Sequence, residues 1–153
     1  MRHVEDLREG SHGGARARGE KEALFQRAVE WLGPVARRVL EEVDEALLLS
    51  TGQIADSGLE RERDGTLFRA WTLSWPEKEK RGVAPVTLRA WFGSGFHHPH
   101  LRGATVHDWP LNVYTEQDAR DLVPVLRSVV TADLHNLVFK ADWRIIPAAR
   151  RRS

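Results

Sequence analysis

Leu24, Ala28, Trp31, Val35, Val39, Val43 and Ala46 recur at spacings of three and four, the period of an amphipathic helix, and the spacing predicts a helix over residues 20–49. Gly33-Pro34 interrupts this run without shifting its phase. The expected element is therefore one helix kinked at Gly33-Pro34, or two with Pro34 in the first turn of the second. Ser50-Thr51-Gly52 supplies the stop.

The period then changes to two. Asp64-Gly65 is a tight-turn signal, so residues 54–75 read as a hairpin. Its first arm is charged through Glu60, Arg61, Glu62 and Arg63 and belongs at a sheet edge. Residues 76–84 are polar and read as a solvated loop. Val86, Leu88, Ala90 and Phe92 alternate with Thr87, Arg89 and Trp91, the clearest strand of the chain. Residues 93–103 read as a Gly- and His-rich loop and 104–114 as a fourth strand. Alternation slips in that strand at His107-Asp108, as a β-bulge would make it, or both of its faces are covered and parity means little. Thr115 is placed to cap a final helix whose apolar face is Ala119, Leu122, Leu126, Val129 and Val130, with Pro124 as a kink or restart. Residues 143–147 read as a strand or an extended segment.

The expected fold is thus α+β: an N-terminal helix, an antiparallel sheet of about four strands, and a C-terminal helix. Residues 20–147 form the domain, 1–19 a Gly-rich mobile arm with little to bury, and 148–153 a basic tail. Composition changes this picture little. Twenty-three Lys and Arg nearly cancel 22 Asp and Glu, so no net field draws the chain to nucleic acid. The absence of cysteine excludes disulfides, thiolate metal sites and thiol nucleophiles. The N-terminus carries no apolar signal run, and no stretch reads as the roughly 18 apolar residues of a membrane span. The expected location is cytoplasmic, without a membrane partner.

Candidate chemistry lies in four places. His97-His98-Pro99-His100 is followed by His107-Asp108. Neutral imidazole binds zinc, nickel or iron, and a nearby carboxylate ligates or orients it. His98, His100 and His107 are therefore the candidate ligands of a divalent metal, with His135 beside Asp133 within conceivable reach. His107 and Asp108 are the candidate catalytic acid–base pair. The alternative is a polar loop whose histidines bond to solvent or backbone. Second, Phe68-Arg69-Ala70-Trp71 echoes Leu88-Arg89-Ala90-Trp91. If these strands pair, Arg69, Trp71, Arg89 and Trp91 form one patch of the kind that anchors partner proteins; the alternative is that a helix covers the rings while the Arg heads reach solvent. Third, Gly93-Ser94-Gly95 lacks the spacing of a nucleophile elbow and reads as a turn. Fourth, Arg150-Arg151-Arg152, with the N-terminal arginines, offers phosphate contacts that the near-neutral charge disfavours.

The order helix, strand meander, His-Pro loop, helix resembles that of ubiquitin-conjugating and RWD-type domains, and His98-Pro99-His100-Leu101 is similar to the His-Pro step before the catalytic cysteine of the former. The resemblance covers element order over 20–139. With no cysteine here, it implies a non-catalytic relative that binds partners. The first expectation for function is accordingly a binding or accessory domain, an oligomer or one subunit of a larger complex, that meets a partner protein through the Arg/Trp face. The alternatives are a small enzyme or enzyme subunit with a His-rich metal site, and nucleic-acid contact through the basic termini.

Overall fold

The structure is a computed structural model and describes residues 2–151. Its elements are α1 (Arg2–Glu9), α2 (Arg18–Leu47), β1 (Gln53–Asp56), β2 (Glu60–Arg61), β3 (Leu67–Ser74), α3 (Pro76–Lys80), β4 (Val86–Phe92), β5 (His100–Arg102), β6 (Trp109–Pro110), α4 (Glu116–Asp121), α5 (Val123–Lys140), a 3-10 turn (Trp143–Ile145) and α6 (Pro147–Arg151). The strands form one antiparallel sheet in the order β1-β3-β4-β5-β6, with β2 on the same edge of β3 as β1. The α+β architecture is the one the periodicities imply; the charged hairpin arm is divided into β1 and β2, while α3 and β5 form within segments 76–84 and 93–103, expected to be loops.

Helix α2 runs unbroken through Pro34, because the apolar phase on either side is common and packing on the sheet outweighs one lost backbone bond. Phe25, Ala28, Leu32, Ala36, Val39 and Leu40 form its buried face. The Arg69 guanidinium packs against Gly33, its nearest nitrogen 3.4 Å from where a Cβ would stand, an ordinary contact distance. Thr115 caps α4 in a reciprocal capping box with Asp118, and Pro124 restarts the chain as α5, as the pattern implies. The segment Glu116–Lys140 is long and apolar enough to cross a membrane by length and composition, contrary to the sequence reading. Here it packs on the sheet, burying Leu126, Val129, Val130 and Leu134.

The β3–β4 register pairs Leu67 with Phe92, Arg69 with Ala90 and Trp71 with Leu88. Paired residues of an antiparallel ladder share a face. Leu67, Trp71, Leu73, Val86, Leu88, Ala90 and Phe92 therefore line one face, buried under α2 and α5. Phe68, Ala70, Thr87, Arg89, Trp91 and His100 occupy the other. This corrects the expectation of one Arg/Trp patch: the echo is offset by one register step, so Arg69 and Trp71 lie on the helix-covered face and Arg89 and Trp91 on the opposite one. Trp71 is 1% exposed. Arg69 grips Asp56 through two bonds of 2.9 and 2.6 Å and reaches the Val29 carbonyl, so its charge is used inside the fold.

Residues 104–108 are not strand. The chain turns there, between β5 and β6, and the parity slip at His107-Asp108 marks this turn and not a bulge. The buried Asp133 carboxylate accepts from the amides of Ala104 (3.0 Å) and Thr105 (2.8 Å), and Asp108 sits at φ 56°. Residues 143–147, expected to be extended, instead form the 3-10 turn and the start of α6, held by Trp75 Nε1 donating to the Ile145 carbonyl at 2.6 Å.

The two faces predict unequal costs for the two tryptophans. Trp71→Ala should destabilise the protein by about 3–5 kcal/mol, the range for emptying a core aromatic site. Trp91→Ala, half-buried on the uncovered face, should cost distinctly less. Urea denaturation of both variants measures this; equal losses would contradict the assigned faces.

Candidate metal centre

The N-terminal 19 residues are where polarity, not apolarity, is buried. Helix α1 ends at Gly10, and His12-Gly13-Gly14-Ala15 closes a tight turn in which His12 and Ala15 exchange two backbone bonds of 2.9 Å. Gly13 and Gly14 sit at φ 57° and 83°, the left-handed pair a two-residue hairpin turn demands. A Cβ on Gly13 would lie 2.7 Å from the Tyr114 ring, so glycine also permits the turn to dock there. Asp6 organises this segment. Its Oδ2 accepts from Gly13 N–H (2.7 Å) and the Tyr114 hydroxyl (3.2 Å), and its Oδ1 from Ser11 Oγ (2.9 Å) and Gly14 N–H (3.0 Å). Lys21 donates to the Gly10 carbonyl at 2.9 Å. Asp6, Ser11, His12 and Lys21 are all buried, where the sequence suggested an arm with little to bury.

The docked segment meets the His-rich loop. Arg18 fixes that loop, donating to the carbonyls of Gly93 (3.0 Å), Phe96 (3.1 Å) and Phe92 (3.3 Å) while its guanidinium lies 3.6 Å above the Phe92 ring. The His98 ring then sits edge-on to those of His12 (4.5 Å) and His3 (4.7 Å). One ligand atom each from Asp6, His12 and His98 lies within 4.8 Å of the other two. An ion about 2.1 Å from each ligand would want them about 3.4 Å apart, so binding would draw the three side chains inward.

The lone pairs can be assigned. His98 Nδ1 lies 2.8 Å from the Pro99 carbonyl, which can only accept, so Nδ1 carries the proton and Nε2 the lone pair. That Nε2 is buried and has no partner within hydrogen-bond distance among the described residues, although the Asn112 side chain is near enough to oppose the lowering of the His98 pKa. The Tyr114 hydroxyl lies near Asp6 Oδ2, Asn112 Oδ1 (3.0 Å) and His12 Nδ1 (3.4 Å). Its single proton goes to the Asp6 carboxylate, the charged acceptor, leaving its own oxygen to accept from His12 Nδ1–H. This tautomer places the His12 lone pair on Nε2 as well. A backbone-bonded Nδ1–H behind a free Nε2 is how metal-ligating histidines are usually oriented.

The electrostatics agree. Burial, reinforced by His98, lowers the His12 pKa to about 4 against the opposing pull of Asp6. Burial lowers His98 too, with the Pro99 carbonyl opposing, and also His100, with Asp108 opposing. These imidazoles are neutral at pH 7, the ligand form. Burial alone would raise the Asp6 carboxyl, but the Gly14 and Gly13 amides with the Ser11 and Tyr114 hydroxyls hold it down at about 2.

Of the residues predicted from sequence, His98 is in this cluster and His100 is beside it, its ring 6.1 Å from that of His98 and stacked on Trp91. His107 and Asp108 are exposed on the β5–β6 turn and share no hydrogen bond among the described residues. His135 is exposed and stacks on Phe139. Ser94 is exposed in its turn. Arg152, and the side chains of Arg150 and Arg151, lie outside the described residues. Asp6 and His12 were missed because burial was sought through apolar residues. The usable signal was Gly13-Gly14, a hairpin-turn pair that would have folded His12 back toward Asp6.

Comparison with known proteins found no matching family, no matching curated protein and no matching solved structure. The site is read from its own geometry.

Asp6 makes acid stability a test of the docked segment. Its carboxyl is depressed from 3.8 to about 2, so its contribution is complete above 3.8 and is lost as pH falls through 2. In chelator, Asp6→Asn should be destabilised at pH 7 by on the order of 2 kcal/mol, with the difference from wild type closing between pH 4 and pH 2. A constant difference across that window, in denaturant melts, would show that the carboxylate charge is not what holds the turn.

Proposed function

We propose that this chain binds one divalent transition-metal ion through Asp6, His12 and His98. The observation that carries the reading is His98 Nε2: a buried lone pair without a donor, beside a second imidazole and a carboxylate. Nitrogen and carboxylate ligands without thiolate suit zinc, cobalt, nickel or ferrous iron. Asp133 supports the contrast. It too is a buried aspartate gripping two turn amides, but no histidine stands with it in a ligand cluster among the described residues, so turn-holding alone does not call for imidazoles.

The burial of all three ligands favours an ion that holds the fold over one that receives substrate, which ranks a metal-dependent accessory domain above an enzyme. The expected partner-protein patch keeps only Arg89 and Trp91 together, so the metal reading is the better supported.

Isothermal titration of chelator-stripped protein with zinc and cobalt should give one site. His98→Ala and His12→Ala should each weaken it by at least about 100-fold, more than loss of an outer-shell partner usually costs. His107→Ala should bind as wild type. Wild-type protein that binds no better than His98→Ala would end the reading.

A further inference from the structure

Resting on the ion site proposed above, we infer that His3 is the fourth ligand and that the ion fastens α1, and with it the N-terminal segment, to the body of the domain. His3 and Asp6 are three residues apart, so they project from one face of α1. The opposite choice of face is visible in Val4 and Leu7, each 66% exposed. His3 Nδ1 is buried and has no hydrogen-bond partner among the described residues, as is true of His98 Nε2. Their rings meet at 4.7 Å, 69° apart. Two orphaned imidazole nitrogens on adjacent rings, next to a carboxylate from the same helix, form a donor set that a cation completes.

His100 also has a buried, unpartnered Nδ1. Its place on β5 holds it against Trp91 at 5.2 Å, and its ring is farther from His98 than that of His3. His3 is therefore the better fourth ligand. Added to Asp6, His12 and His98, whose ligand atoms alone already lie within 4.8 Å of one another, His3 would complete a closed four-ligand set of structural type.

The segment needs such a fastening. An eight-residue helix does not persist alone in water, where about 12–15 residues are marginal. Asp6 is the residue of α1 that is buried, and three of its four hydrogen bonds return to the segment's own turn. Only the Tyr114 hydroxyl, at 3.2 Å, ties Asp6 directly to the body. Lys21 adds one bond to Gly10. The turn itself is seated by His12 and Gly13 against Tyr114, so α1, beyond the turn, is the part whose docking a cation between His3 and His98 would reinforce.

The test uses the full chain, stripped with chelator, with zinc or cobalt added back. Arg8 and Arg16 have exposed side chains and report on the segment through tryptic cleavage. Zinc should slow cleavage at both by at least tenfold in wild type. His3→Gln should still bind zinc, but more weakly by at least the roughly 10–100-fold that loss of an outer-shell partner costs, with no protection of Arg8, and its cobalt spectrum should shift as a nitrogen ligand is exchanged for water. His100→Gln should match wild type in affinity, protection and spectrum, and circular dichroism should show both variants folded. If His3→Gln keeps wild-type affinity and protection, or if His100→Gln and not His3→Gln shows the losses, His3 is not the ligand while the three-residue site stands. If wild type binds neither ion in calorimetry, both the site and the fastening fall.

Discussion

The pairing of Trp71 with Leu88 sets the rest of the molecule. Because paired residues share a face, this one register commits Leu67, Trp71 and Leu73 to the layer beneath α2, along with the even-numbered residues of β4. It also commits Arg89, Trp91 and, one strand on, His100 to the uncovered face. Slipping the pair by one residue would reunite the two Arg-Ala-Trp echoes on one side, at the cost of moving Trp71 and Leu73 out of the core. Burial of two large apolar side chains decides against that, since each contributes about 1.5–3 kcal/mol when buried.

From that register follows the position of the His-rich loop. β4 ends at Phe92, and the chain must return as β5 beside Trp91, so residues 93–99 arch over one end of the sheet. An arch of this kind has few backbone bonds of its own, and Arg18 supplies three donors to its carbonyls. Arg18 stands at the start of α2, directly after the turn that carries His12. The same short stretch thus fixes the loop and delivers the imidazole that meets it.

The sequence was legible where burial is apolar and periodic. The β4 alternation, the phase of α2 through Pro34, the Asp64-Gly65 turn and the Thr115 cap each follow from a rule that acts within a few residues. Two kinds of feature escaped. The first is register between strands, since the echo in sequence says nothing about which residues end up paired. The second is polar burial. Asp6, His12 and Lys21 leave no hydrophobic signature, and the β5–β6 turn is held by Asp133 from 28 residues away, at Thr105. His98 was legible because histidines cluster there, whereas its partners, about 90 residues earlier in the chain, were not.

Energetics bear on why such a cluster persists. A buried polar atom without a partner costs about 1–3 kcal/mol, and His3 and His98, two imidazoles of the proposed site, each carry one. Together they would consume a large part of the roughly 5–15 kcal/mol by which a domain is stable. Apolar residues of similar size would remove that cost, and the neighbouring Phe96 shows that an aromatic hydrocarbon is accommodated against Trp91 and His100. Histidine has one advantage over such residues here, its capacity to donate a lone pair to a cation. Structural zinc contributes about 10–16 kcal/mol in thiolate-ligated zinc-finger peptides, and a carboxylate and imidazole set need supply only part of that to exceed what the orphaned nitrogens cost. On that balance the imidazoles of the proposed site would burden the ion-free chain and stabilise the ion-bound one, and the N-terminal segment is the part whose docking would turn on the difference.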